Sequence, residues 1–412
     1  MRERYGHDRL HILVAERNSG NFTYDGIELG GERVAHEVEE TLEALTANGH
    51  AIKKLSVVGY SLGGLVARYA LGLLYARGWL DKLEPVNFTT FVSPHVGVRT
   101  PLKGMQNHLW NVLAARTVSM SGRQLFMIDS FRETGKPLLS ILADQESIFV
   151  KALARFKNRC LYANIVNDQY SVFYTTAISK IDPFPDVENT NFNYVRGYEP
   201  VIIDSDTYTL PSGKESTPLD LHAGGKMMKT IANFPFLVFL IFFTPVGSLA
   251  FLLNAFVQTI RSRQRIRLHE QGKTDVFFGS YRVPLLVQDV QNAVEDVFEN
   301  VSSSQYPDHL SPKDEPDSSF EIIKSSKEEA VSSSSTPLSD GLHLKQKHFT
   351  LALTPAQFDI IDSLNAVGFR RHPVYIHNHR HSHAAIIVRM QKKGFEEGKV
   401  VIKHWLDKEF EV

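Results

Sequence analysis

Residues 55–78 read LSVVGYSLGGLVARYALGLLYARG. An apolar run, Leu55 to Val58, meets Gly59-Tyr60-Ser61-Leu62-Gly63-Gly64, and apolar residues at helical spacing follow. The run before the glycines has the length of a buried strand, and the pattern after them is that of a helix. A serine therefore stands between two glycines at a strand-to-helix seam. An ordinary glycine-rich turn would fit, and so would a strained turn that holds a hydroxyl clear of the backbone. The strand directly before and the helix directly after favour the second, a nucleophile elbow with Ser61 at its apex. The flanking glycines are expected to be needed because a side chain at either would crowd the turn, and the serine itself should be strained. The backbone N–H of Leu62, at the start of the helix, would then face a developing oxyanion.

Working outward, residues 10–182 alternate between strand and helix patterns. LHILVAE (10–16), KLSVVG (54–59), FTTFVSP (88–94) and CLYANIVN (160–167) read as strands. Val34, Val38, Leu42 and Leu45 mark a helix that stops at Gly49. Apolar strands alternating with amphipathic helices imply an α/β fold, a parallel sheet with helices on both faces. Near the other end FTLALTPAQFDIIDSLNAVGF (349–369) reads as strand, capped helix and glycine stop, and AAIIVRM (384–390) as a final strand.

Residues 230–260 contain no charge in 31 positions. A bilayer span needs roughly 20 apolar residues, so this stretch is long enough to enter a membrane. Lys226 and Lys229 precede it, and Arg261, Arg263, Arg265 and Arg267 follow. The expected organisation is a first α/β part at 1–225 and a hydrophobic segment with basic flanks at 226–268. An amphipathic helical region at 269–301, a disordered Ser-rich insertion at 302–344 and a second part of the α/β domain at 345–412 complete it. The 412 residues carry 45 basic and 46 acidic side chains, a balance that gives no reason to expect a nucleic-acid partner. A single cysteine, Cys160, rules out an internal disulfide. MRERYGHDRL lacks the apolar core of a signal peptide.

A serine nucleophile needs a base, and the base an orienting carboxylate, in the chain order serine, acid, histidine. Asp168, directly after a strand, is the first candidate for the acid, ahead of Asp182 and Asp186 in a proline-rich loop. The base falls in HNHRHSHAAIIVR: His383 stands nearest the expected last strand, with His381 as runner-up. A metal site is the rival reading, since period-2 spacing would align His377, His379, His381 and His383 on one strand face. No cysteine or carboxylate accompanies them, so neither a metal nor a cofactor is assigned.

The segments GYSLGGLVARYALGLL, TYDGIELGGERVAHEV, FVSPHVGV, NIVND and HSHAAIIVR together resemble the serine esterase and lipase family of DUF676-type α/β-hydrolases that includes fungal lipid-droplet phospholipases. The resemblance covers residues 5–200 and 345–405. It implies an α/β-hydrolase that cleaves acyl esters of glycerophospholipids at lipid droplets or the cytosolic face of the endoplasmic reticulum, with Ser61, Asp168 and His383 as its triad. It places His95 near the site as a structural or substrate-lining residue, as is Tyr60 beside the nucleophile. The family opens with an apolar strand and a His-Gly-x-x-Gly loop that supplies a second oxyanion donor. Neither precedes RLHILVAERNSG, so the chain is expected to be N-terminally truncated. A catalytically dead scaffold on a membrane and an acyltransferase built on the same triad are the alternatives. If the triad assembles, the apolar stretch between Ser61 and His383 must enter the membrane and return, with Pro245 and Gly247 as the natural place for a bend, or lie in a monolayer.

Overall fold

The computed structural model describes residues 1–6, 9–98, 119–166, 168, 171–185, 187, 189–209, 260–268, 350–351 and 353–412. Most of the 226–268 segment, all of 269–301 and 302–344, and Asp186 lie outside the described residues, as do Pro245 and Gly247. Among the described residues no helix is long and apolar enough to cross a membrane.

Four parallel strands lie in the order β1 (Lys54–Tyr60), β2 (Glu84–Phe91), β3 (Asn158–Asn164) and β4 (Arg370–Val374). The first three come from the N-terminal part of the sequence and the fourth from the C-terminal part, so both parts complete one sheet. Strand alternation divides the side chains between two cores. Phe88 and Leu161 face a core built with α1 (Ile27–Ala47), α2 (Leu62–Ala76), helices at Leu138–Ala143 and Ile148–Ala154, and a helix at Pro355–Val367. Phe91, Cys160, Tyr162 and Val374 face a second core with Ala385, Phe395, Val401 and Trp405. The expected parallel sheet with helices on both faces is thus what forms.

Helices α1 and α2 run parallel and side by side. Gly30 lies against Val66, Gly31 against the Tyr69 ring, and Glu39 accepts hydrogen bonds from Trp79 and an ion pair from Arg77. Their N-termini therefore lie at the same end of the molecule. The helix at Pro355–Val367 starts with a capping box, Thr354 and Gln357 bonding reciprocally, and ends at Gly368, φ 81°, as its sequence suggested.

Three expected strands differ. LHILVAE forms no strand, and its Leu13 and Val14 are exposed, because no strand beside it offers ladder partners among the described residues. Among the described residues the 349–354 strand is reduced to one bridge, Ile181 to Thr350. AAIIVRM forms no strand: Ser382–Ala385 is a helical turn whose Ala385 carbonyl lies 2.0 Å from where a Cβ would stand on Gly398. Val388 then enters the left-handed region at φ 53°, which breaks any extended run. The last strand of the sheet is instead RRHPV at β4, before the histidine cluster.

Candidate active site

Ser61 sits between the end of β1 and the start of α2 at φ 51° and ψ −131°, a backbone that costs an L-residue about 1–3 kcal/mol. The surrounding structure holds it there. Its N–H donates to the Phe91 carbonyl at 2.9 Å, and its carbonyl accepts from Gly64 N at 3.0 Å. Gly59 packs directly on Gly64: a Cβ at Gly59 would lie 2.4 Å from Gly64 Cα. A Cβ at Gly64 would lie 2.1 Å from Ser93 Oγ, whereas one at Gly63 would meet nothing within 4 Å. The crowded pair is therefore Gly59 and Gly64. The expectation that Gly63 is sterically required is corrected, because Gly63 faces open space. Leu62 opens α2, so its N–H has no acceptor within that helix.

His383 meets Ser61 from across the sequence. Its Nε2 lies 2.9 Å from Ser61 Oγ, and its Nδ1 lies 2.9 and 3.1 Å from the two oxygens of Asp168. A carboxylate only accepts, so Nδ1 carries the proton and Nε2 is left to accept from the serine hydroxyl. Both Asp168 and His383 are 8% exposed. Asp168 is fixed in turn: Oδ1 accepts from Ser171 N at 2.8 Å and Oδ2 from Asn164 Nδ2 at 3.2 Å.

Two clamps hold the histidine's backbone. The Tyr60 hydroxyl donates to the His383 carbonyl at 3.0 Å, and the Ser382 hydroxyl donates to the Val166 carbonyl at 2.8 Å. The first ties the base to the residue before the nucleophile, and the second ties it to the loop that carries the acid. Asn164, Ser171 and Ser382 escaped the sequence reading. Their only sequence signal was position, Asn164 at the C-terminal end of a strand and Ser382 beside the favoured histidine.

The other candidates lie elsewhere. Asp182 Oδ1 accepts from Phe184 N in a local turn. His381 is exposed, with its N–H donating to His379 Nδ1, and His377 pairs with Glu397 at 3.1 Å. Residues 377–383 are loop and helical turn, so the common strand face needed by the metal reading does not form. His95 is fully buried. Its Nε2 lies 2.9 Å from Thr90 Oγ1 and its Nδ1 3.4 Å from Arg68 Nη1. Burial and the Arg68 charge hold its pKa well below the ordinary histidine value, and burial lowers the Arg68 guanidinium to about 9.

Residues 1–181 match the family model described as "Putative serine esterase (DUF676)", the family that the sequence segments resemble. Among curated proteins the chain is similar to "Putative lipase ROG1" of Saccharomyces cerevisiae, 30% identical over 180 residues, 43% of this chain and 24% of that one. It is 34% identical over 134 residues to "Putative lipase YDL109C" of the same yeast, covering 32% and 20% of the two chains. To "Putative lipase C4A8.10" of Schizosaccharomyces pombe it is 27% identical over 173 residues, 40% and 22% of each. The matched region spans a quarter or less of the length of these curated relatives. No solved structure matches the chain.

Proposed function

We propose that the chain is a serine hydrolase of lipid acyl esters, with glycerophospholipids as its substrate class. The observation that carries this reading is the unbroken series Ser61 Oγ, His383 imidazole and Asp168 carboxylate, joined by contacts of 2.9 Å at a strand-to-helix elbow. Ser61 attacks the ester carbonyl while His383 Nε2 takes its proton, and Asp168 holds the imidazole and balances the imidazolium. The Leu62 N–H stabilises the oxyanion. His383 then protonates the departing alcohol, water attacks the acyl-enzyme, and the serine is restored. A lipid acceptor in place of water would make the same residues an acyltransferase.

The relatives' names as lipases support lipid acyl esters in general, and so does the uncharged 230–260 stretch. Ser61 precedes that stretch and His383 follows it, yet the two side chains are hydrogen-bonded. On this reading both flanks of the stretch lie on one side of any membrane it enters. A re-entrant segment with basic flanks suits a droplet monolayer or the cytosolic face of the endoplasmic reticulum. The test is release of fatty acid from phosphatidylcholine and from triacylglycerol by the purified chain and by Ser61→Ala. Release from phospholipid that disappears in Ser61→Ala supports the reading. Equal release by the variant refutes the nucleophile, and release from triacylglycerol alone refutes the phospholipid class.

A further inference from the structure

The end of the molecule that carries Ser61 also carries a basic helix that Ser61 chemistry does not use. Residues 260–268, IRSRQRIRL, are helical and contain four arginines and no acid. The helix is docked by its inner face. Ser262 is 1% exposed and its hydroxyl donates to the Tyr24 carbonyl at 3.2 Å. Arg265 donates to the buried Asp25 carboxylate at 2.5–3.0 Å, and Arg33 reaches the same carboxylate at 2.7 Å. Asp25 thus clasps one arginine of α1 and one of the docked helix. This pairing is sequestered: the Asp25 side chain shows no exposed surface.

The outer face is different. Arg261, Arg263 and Arg267 point to solvent with no carboxylate partner among the described residues. Beside them Ile260, Leu268, Phe22 and Tyr24 are exposed large apolar side chains. The Arg33 and Arg265 guanidinium groups lie over the Phe22 ring at 4.8 and 5.4 Å, which fixes that ring in the patch. Phe22 and Tyr24 belong to the 3₁₀ turn Gly20–Asp25 that leads into α1. Because α1 and α2 are parallel, this turn lies at the Ser61 end of the pair.

We infer that this face is the seat of an anionic phospholipid surface, with Arg261, Arg263 and Arg267 on the head groups and Phe22, Tyr24, Ile260 and Leu268 at the interface. Two features select that occupant. Three exposed cations without a carboxylate partner among the described residues complement an anionic surface, and aromatic rings among arginines are the composition of an interfacial contact. The helix also directly follows the uncharged 230–260 stretch in sequence, the place where the basic flank of a membrane-entering segment meets the head groups. The contact turns the Ser61 end of the molecule to the lipid, so it selects bilayers or monolayers rich in acidic phospholipid as the place of catalysis. The inference rests on the lipid-hydrolase reading for its purpose, but its chemistry is tested separately.

The test is flotation of the full chain with phosphatidylcholine vesicles, with and without phosphatidylserine. The native chain and a triple variant, Arg261→Gln with Arg263→Gln and Arg267→Gln, are compared; Arg265 stays because it clasps Asp25. Each arginine near an acidic surface is worth about a five-fold change in partition, so the variant should lose about 100-fold on acidic vesicles. Binding to neutral vesicles should not change. A polarity-sensitive dye on Tyr24→Cys, specific because the native Cys160 is buried, should shift to the blue on acidic vesicles. Fluorophosphonate labelling of the triple variant reports the hydrolase site independently and should stay native. Equal partition of the native chain on both vesicle types, equal binding by the variant, or a dye that stays in water overturns the inference while leaving the triad untouched.

Discussion

The elbow gives an unusually sharp test because three glycines within six residues have different surroundings. In Gly59→Ala the new methyl would stand 2.4 Å from Gly64 Cα and 2.8 Å from Gly64 N. Ordinary carbon contacts lie at about 3.5–4.0 Å, so β1 and α2 must part by about 1 Å at the seam that holds Ser61. Both atoms are backbone and cannot rotate away, which places the cost near the top of the overpacking range, about 3 kcal/mol. For a domain of this size that is a fall of about 6–12 °C in melting temperature. Gly64→Ala meets a side chain instead, with Ser93 Oγ at 2.1 Å and Ser93 Cβ at 2.7 Å. A second change, Ser93→Gly, removes both atoms and should recover most of the loss as a coupling between the two sites. Gly63→Ala meets nothing and should gain about 0.5–1 kcal/mol from helix propensity. Thermal melting by circular dichroism reads all four proteins. A Gly59→Ala chain that melts with the native protein, or a Gly63→Ala chain that falls as far, would refute the packing argument.

Other outcomes follow from the same geometry. Asp168→Asn replaces an acceptor of both the Ser171 N–H and the His383 Nδ1–H with a group that also donates, which favours the wrong tautomer. Ester turnover should fall on the order of 10⁴-fold, as in other triads, with the melting temperature little changed. Tyr60→Phe removes one bond to the His383 carbonyl, worth about 0.5–1.5 kcal/mol, so kcat should drop roughly two- to ten-fold with KM unaltered. Away from the site, burial and the neighbouring His372 hold His404 at about 4, below its ordinary 6.5. The unfolded chain takes up that proton first, so stability should decline as pH falls from 6.5 to 4, by at most about 3 kcal/mol. Burial desolvates the Glu409 carboxyl, but the neighbouring His372 and Arg370 outweigh that and hold it at about 2, so its contribution is lost between pH 4.5 and 2. In His404→Gln the upper part of that decline should flatten in thermal melts taken across the range, whereas an unchanged slope would remove His404 as its source.

The site was legible where chemistry and local pattern coincide. The change from a strand run to helical spacing at Gly59 placed Ser61, and the order serine, acid, histidine placed Asp168 and His383. The clamps were not legible, because Tyr60 reaches the His383 carbonyl across 323 positions and Ser382 reaches Val166 across 216. β4 was hidden for a different reason. RRHPV has no apolar alternation and contains a proline, which an edge strand tolerates. Its arginines are satisfied by distant groups, Arg370 by Glu409 and Arg371 by the Ala177 carbonyl. AAIIVRM misled because β-branched residues favour strands, while packing against Gly398 decided for a helical turn. The two motif glycines were judged by their spacing, yet steric need falls on Gly59 and Gly64, a distinction that the Gly59–Gly64 and Gly64–Ser93 contacts reveal.

The most direct test of a Ser61 nucleophile driven by His383 is a fluorophosphonate adduct mapped by mass spectrometry. The adduct should fall on the peptide that contains Ser61, and labelling should be lost in Ser61→Ala and slowed by orders of magnitude in His383→Ala. An adduct on another serine, or one on Ser61 that forms at the native rate without His383, would contradict it.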